Sequence, residues 1–231
     1  MKDIFYGMEK TSLVDFEGHI VTTIFTKGCN FRCPYCHNSE LALNMPIPAI
    51  PFDDILSFLS LRRGIIDGVC ISGGEPTINK ELPEAIKEIK RLGLLIKLDT
   101  NGSNPQMLKE LIDNRLIDYA AIDIKSGLSG YNKIIGKAKA PINELLKSIS
   151  IFKEGNIDYE FRTTLVKEFH STRDILEIVY LLKGEDMLYL QKFTDHGTCI
   201  GENLHEVDKE KALEYQDLLS KFINNVYLRG Y

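Results

Sequence analysis

Short runs of β-branched and aliphatic residues alternate with amphipathic stretches along most of this chain, and that alternation limits its possible folds more than any other feature. The apolar runs cover 19–26, 68–72, 94–99, 119–124, 158–166 and 187–193. Between them, apolar residues recur at helical spacing. Leu82, Ile86, Ile89 and Leu92 do so within 80–92, and Gly93 follows as a C-terminal stop. The same reading predicts helices over 52–63, 105–114, 142–154 and 171–183, and a long closing helix over 209–226. Six strand-then-helix units imply an α/β fold with a parallel sheet covered by helices. That is an incomplete (β/α)6 version of the eight-unit TIM barrel. A doubly wound open sheet competes with it, and alternation alone does not separate the two. We take the partial barrel as the expected fold. Residues 1–18, with strand signals near 4–6 and 12–14, are expected to be a short N-terminal extension to a single domain over 19–231. Pro46, Pro48 and Pro51 make 40–52 a broken loop.

The composition excludes several classes. With 44% hydrophobic and 26% charged residues, a chain of 231 residues needs no disulfide staples to form a core. A net charge of −5 argues against a dedicated nucleic-acid binder. No apolar run approaches the roughly 20 residues of a membrane helix. The first residues, Met1-Lys2-Asp3-Ile4-Phe5, lack the apolar core of a signal peptide. The expected location is cytoplasmic, without a membrane partner, where thiols stay reduced.

Of the five cysteines, Cys29, Cys33 and Cys36 fall in one short loop after the first strong strand, spaced C-x3-C-x2-C. Thiolates at that spacing select an iron–sulfur cluster, zinc or copper. Three ligands on a cubane cluster leave one iron free to bind a substrate. Zinc would need a fourth ligand, and the adjacent His37 is poorly placed to supply it. Cys33-Pro34-Tyr35-Cys36 is also a C-x-x-C dithiol with the glutaredoxin sequence, so thiol–disulfide exchange is a second alternative.

Polar residues punctuate the ends of the later strands. Ser72-Gly73-Gly74-Glu75-Pro76 ends the second; its glycines allow close backbone approach and Glu75 is an acceptor for an ammonium. Asp99-Thr100-Asn101-Gly102 ends the third, with Asn101 able either to bind a ligand or to form an Asx turn. Asp123-Ile124-Lys125 ends the fourth, where a solvated ion pair is the plain alternative. Arg162 lies within the fifth, facing either in or out. Gln191-Lys192-Phe193 ends the sixth, with Asp195 and His196 just beyond. The C-terminal strand edge is where sites assemble in parallel α/β folds. Cys70 reads as a core thiol. Cys199 has no assigned role, and His19, His170 and His205 read as ordinary core or surface histidines.

C-x3-C-x-aromatic-C, with Tyr35 as the aromatic, resembles the signature of the radical S-adenosylmethionine superfamily. The resemblance implies a [4Fe-4S] cluster on Cys29, Cys33 and Cys36. Its open iron holds the methionyl group of S-adenosyl-L-methionine, which is cleaved reductively to a 5′-deoxyadenosyl radical. It further implies cofactor contacts from Tyr35, Gly73, Gly74, Glu75, Asp99, Asn101, Asp123, Lys125 and Arg162. The residue aligned with the family's ribose-contacting histidine is Phe193, with His196 three positions later. Cys36-His37-Asn38 and Asp123-Ile124-Lys125 resemble the activating enzymes of glycyl radical proteins. Longer stretches between 7 and 195 are similar to the activators of anaerobic ribonucleoside-triphosphate reductase. The implied protein is an oxidoreductase that works anaerobically, with a glycyl radical enzyme as partner and flavodoxin or ferredoxin as electron donor. A small-molecule radical enzyme, such as a 7-carboxy-7-deazaguanine synthase, is the alternative within the superfamily.

Overall fold

The structure is a computed structural model describing residues 3–137, 139–155 and 157–231, apart from the side chain of Glu185. Among the described residues, eight strands form one sheet in sequence order. They are β1 (Phe5–Ser12), β2 (Val21–Thr26), β3 (Gly68–Gly73), β4 (Leu95–Thr100), β5 (Tyr119–Asp123), β6 (Asp158–Leu165), β7 (Gly184–Lys192) and β8 (Ile223–Arg229). β1 runs antiparallel to β2, and each later neighbour pair is parallel. β1 and β8 are the two edges of the sheet, which does not close. This is the expected incomplete barrel. Its main helices are α1 (Ser39–Ala42), α2 (Phe52–Leu61), α3 (Leu82–Lys90), α4 (Pro105–Asp113), α5 (Tyr131–Ile135), α6 (Ile142–Glu154), α7 (Thr172–Glu177) and α8 (Lys209–Leu219).

The strand period of two sorts the side chains. On β4, Ile96 and Leu98 face outward with Val69, Ile71, Ala120, Ile122 and Phe161 of the neighbouring strands. That face packs on helix residues such as Ile55, Leu59, Ile86, Ile89, Leu108, Leu111 and Phe152, all fully buried. Each such side chain contributes roughly 1.5–3 kcal/mol on burial. Local signals set the helix starts. Asn104 accepts from the Met107 N–H and Pro105 opens α4, while Ser171 and Asp174 form a reciprocal capping box on α7.

The C-terminal segment departs from expectation. The helix predicted over 209–226 stops at Leu219, and Ile223–Arg229 is a strand paired with β7. Tyr215, Leu219, Ile223 and Val226 are all buried, and their spacing is helical across a helix–strand boundary. β-Branched and aromatic content in Ile223-Asn224-Asn225-Val226-Tyr227 settles the second half as a strand. The helix expected over 171–183 is also shorter, ending at Glu177 and followed by a single 3-10 turn, Ile178–Tyr180.

Charged residues occupy much of the inner face of β4, β5 and β6, unlike the aliphatic layers of a TIM barrel. Lys97 and Asp99, Asp123, and Glu160 and Arg162 meet inside. Arg162 Nε donates to Asp123 Oδ1 at 2.8 Å and its Nη1 lies 3.2 Å from Asp99 Oδ1. Lys97 Nζ is 3.4 Å from Glu160 Oε1, and Arg229 Nη2 of β8 is 3.1 Å from Glu160 Oε2. The loop between β1 and β2 folds across the lower end of this interior. Phe16 is buried against Val21 and Cys70, Asp15 accepts from Thr23 and Lys97, and Glu17 pairs with Arg229 at 3.3 Å.

Candidate functional site

The three clustered cysteines lie on the loop that leaves β2, and nearly every turn of that loop is tied down. Gly28, at φ +85°, donates to Leu41 O of α1 and accepts from the Glu75 N–H at 2.8 Å. Arg32 N–H donates to Ile135 O of α5 at 2.9 Å, and Cys36 N–H to Cys33 O at 3.1 Å. Pro34 O accepts from Gly201 N–H at 2.7 Å, so the loop after β7 clasps the cysteine loop from above. Asn30 bridges to Ser103 and Asn101 at 2.7 and 2.9 Å.

The glycine pair after β3 is required by this packing. Gly74 donates to Thr26 O, and a Cβ on it would lie 1.9 Å from the Gly28 carbonyl oxygen. Backbone stands on both sides of that contact, so neither can give way. Gly74→Ala is therefore expected to destabilise the protein by about 2 kcal/mol or more and to prevent iron uptake. Thermal melting and the iron content of anaerobically reconstituted protein test this. Wild-type values for both would contradict it.

Cys29, Cys33, Tyr35, Cys36, Gly73, Gly74, Glu75, Asp99, Asn101, Asp123, Lys125 and Arg162 all line one cavity at the C-terminal ends of the strands. Phe31, His37, Asn38, Ala42, Ser72, Thr100 and Thr164 complete its wall. Phe193 and His196 are not among the lining residues. Instead, the His37 ring stacks on Phe193 at 5.5 Å and lies 5.7 Å from His196. Cys70 is buried in the lower interior, away from the cavity.

Glu75 is buried and its carboxylate is heavily engaged. Oε1 accepts from Thr77 N–H, Thr77 Oγ1 and Thr100 Oγ1, and Oε2 from Asn101 N–H at 2.7 Å. Burial pushes this carboxyl up, against the pull of those four donors. Glu75 thus braces the end of β4 against the end of β3, and Oε2 retains a lone pair for a ligand.

Asp123 and Lys125 form a part-buried pair, Nζ to Oδ2 at 2.9 Å. Burial pushes the Asp123 carboxyl up, but Arg162 and Lys125 outweigh it and hold Asp123 well below the usual carboxylate range. Burial alone would lower Lys125; Asp123 keeps its ammonium charged. His170, which reads from the sequence as an ordinary core or surface histidine, is buried here. It accepts from Val166 N–H at Nδ1 and holds the Lys125 carbonyl from Nε2 at 2.9 Å. That bond orients the Asp123-Ile124-Lys125 turn. A histidine forty-five residues further on gave no local signal of it.

The donor set fits an iron–sulfur cluster. Among the described residues, no three His, Cys, Asp or Glu side chains converge on a single metal ion. The thiolates of a cubane sit on three different irons, so they need not converge. Burial pushes the Cys29 thiol up to about 12 and Cys33 to about 11, with Lys125 drawing both down. A thiol-exchange centre needs an accessible, low-pKa thiolate, and the buried Cys33 is the opposite. Buried thiols with a cation beside them suit a cluster, whose binding releases the protons. Asp99 Oδ1, at the cavity wall, is held by charge, with Arg162 Nη1 at 3.2 Å and Lys97 Nζ at 3.7 Å.

Comparison with known proteins agrees with this geometry. Residues 23–179 match the model of the Radical SAM superfamily. A putative glycyl-radical enzyme activating enzyme of Methanocaldococcus jannaschii is 34% identical over 99% of this chain and 97% of its own length. A pyruvate formate-lyase-activating enzyme of Clostridium pasteurianum is 26% identical over 94% of this chain and 97% of its own. Among solved structures, Streptococcus suis SuiB bound to its precursor peptide SuiA superposes with a TM-score of 0.70 at 17% identity, covering 91% of this chain and 48% of that one. That last likeness concerns the fold alone. Taken with the cysteine loop and the cavity it lines, these matches mean that the chain belongs to the radical S-adenosylmethionine superfamily, in the branch of glycyl-radical-enzyme activating enzymes.

Proposed function

We propose that this protein activates a glycyl radical enzyme by removing a Cα hydrogen atom from one of its glycines. The observation that carries the reading is the convergence of the cysteine loop, three strand-end motifs and Arg162 on one cavity. Cys29, Cys33 and Cys36 would hold a [4Fe-4S] cluster. Tyr35, Gly73, Gly74, Glu75, Asp99, Asn101, Asp123, Lys125 and Arg162 would bind S-adenosyl-L-methionine. When bound, the pair supplies the one-electron chemistry that generates the hydrogen-abstracting species.

The protein's own part is to bind, orient and exclude water. Gly73 and Gly74 pack backbone to backbone against Thr26 and Gly28, which sets the end of β3 at the cavity wall. The spare lone pair of Glu75 accepts from an ammonium, and the cationic Lys125 and Arg162 face an anionic group such as a carboxylate. His170 and Glu75 keep these groups in place through the turns they brace.

Similarity over residues 7–195 favours anaerobic ribonucleoside-triphosphate reductase as the partner, with flavodoxin or ferredoxin as electron donor. The reading makes the protein an oxidoreductase of an anaerobic cytoplasm. It retains 19–231 as one domain, with 1–18 as the extension that supplies β1. The test is anaerobic. Reconstituted protein with S-adenosylmethionine and reductant should yield 5′-deoxyadenosine, together with a glycyl EPR doublet on the reductase. Cleavage that gives no doublet on any glycyl radical enzyme would instead favour a small-molecule substrate, and no cleavage at all would sink the proposal.

A further inference from the structure

Residues 124–143 carry Lys125, Lys133, Lys137 and Lys139 and no carboxylate, in a chain whose net charge is −5. Lys125 points into the cavity, whereas Lys133, Lys137 and Lys139 are exposed. Among the described residues, no carboxylate pairs with any of the three; Lys133 lies over the Phe169 ring at 5.2 Å. Of the carboxylates that flank the strip, Asp123 is held by Lys125 and Arg162, and Glu144 shares a hollow with Lys139 without an ion pair. Glu168 takes the His205 ring and N–H, and Glu177 takes Ser129 N–H and Arg173.

This basic strip packs directly on the cysteine loop. Ile135 O accepts from Arg32 N–H, and Gly136, at φ +61°, lies so close that a Cβ there would be 2.8 Å from Arg32 O. Arg32 Nη1 in turn caps the carbonyls of Cys29 and Phe31. Phe169, beneath Lys133, lies 6.1 Å from the Tyr35 ring. None of Arg32, Lys133, Lys137 or Lys139 lines the cavity. Arg32 and the Ile135-Gly136 turn thus back the cysteine loop outside the cavity, with Lys133 and Lys137 on either side of that turn in the chain.

We infer that Lys133, Lys137, Lys139 and Arg32 form the docking surface for a small, acidic, one-electron carrier protein. This rests on the reading of the cysteine loop as a cluster site. A partner that surrenders a hydrogen atom must enter the cavity; one that delivers only an electron can dock behind it. One electron leaves the carrier and reaches the cluster, and no bond forms or breaks in that step. Opposite charge steers such an encounter, and salt screens it.

The experiment compares K133E/K137E/K139E with wild type and with K209E/K221E, which alters exposed lysines elsewhere. Reconstituted protein is mixed anaerobically with a reduced acidic flavodoxin, and separately with dithionite. Binding of oxidised flavodoxin to cluster-free protein is followed by calorimetry. The triple variant should be reduced by flavodoxin about tenfold more slowly at low salt, with the gap closing near 0.5 M salt. It should also bind flavodoxin about tenfold more weakly, while dithionite reduction and iron content stay at wild-type values. K133Q/K137Q/K139Q should show the same effect, smaller. Three outcomes would overturn the inference: unchanged flavodoxin kinetics and binding, equal slowing by dithionite in both triple variants, or loss confined to transfer to the glycyl radical enzyme. The last would assign the strip to that partner. A wild-type protein that takes up no cluster would fail the underlying reading instead, and the iron assay distinguishes this.

Discussion

Replacing Cys33 with alanine should abolish S-adenosylmethionine cleavage, a loss of at least about a thousandfold, or about 4 kcal/mol of barrier. Cys29→Ala and Cys36→Ala should do the same. All three sulfurs line one cavity, and the loop carrying them is pinned to α1, α5 and the loop after β7. The controls lie elsewhere in the same chain. Cys70 is fully buried among Phe16 and Val21 at the lower end, so Cys70→Ala should cost about 1 kcal/mol of stability and leave cleavage within about twofold of wild type. Cys199→Ala should also retain activity. The measurement is 5′-deoxyadenosine formed per chain under strictly anaerobic conditions, with iron content determined on the same samples. Full activity in Cys33→Ala would refute the cluster assignment.

Removing the guanidinium of Arg162 should be nearly as damaging, though first to stability. Arg162 contacts both Asp99 and Asp123 in the barrel interior. Arg162→Met leaves two largely enclosed carboxylates short of a counter-charge, which costs about 3 kcal/mol at neutral pH. The pH dependence checks the cause. Asp123 is held below its ordinary range, so its contribution is complete above the ordinary carboxylate pKa and is lost as pH falls through the folded-state value. In the variant, the stranded Asp123 takes up a proton more readily as pH falls. The stability gap to wild type should therefore narrow between about pH 7 and pH 4. Denaturant melts at both pH values measure it, and a gap that stays constant would mean that lost packing, not charge, is responsible.

Much of this was legible in the sequence because the signals were local. The cysteine spacing, the Gly73-Gly74 turn and the alternating strands are each written within a few residues, and all are found where the pattern indicated. The rest depended on contacts distant in sequence. Arg162 in a strand reads equally as an outward surface charge; only the register with Asp123 turns it inward. His170 has no motif, and its importance lies in one bond to a carbonyl on the preceding strand-end loop. The C-terminal strand was hidden for a different reason. Its buried residues continue the spacing of α8, and a helix and a helix-then-strand can present the same four apolar positions. Glu75 shows a milder version. Its type announced a ligand for an ammonium, but its four protein donors become visible only when β3 and β4 lie side by side.

The loop bearing Asp15, Phe16 and Glu17 has a kinetic consequence. By stoppering the lower end through Lys97, Cys70 and Arg229, it leaves the C-terminal strand ends as the approach to the cavity. In the proposed reaction the cofactor and the glycine-bearing protein share that approach, so a docked partner corks spent nucleoside and amino acid inside. In that reaction, departure of the large partner would then precede departure of the small products.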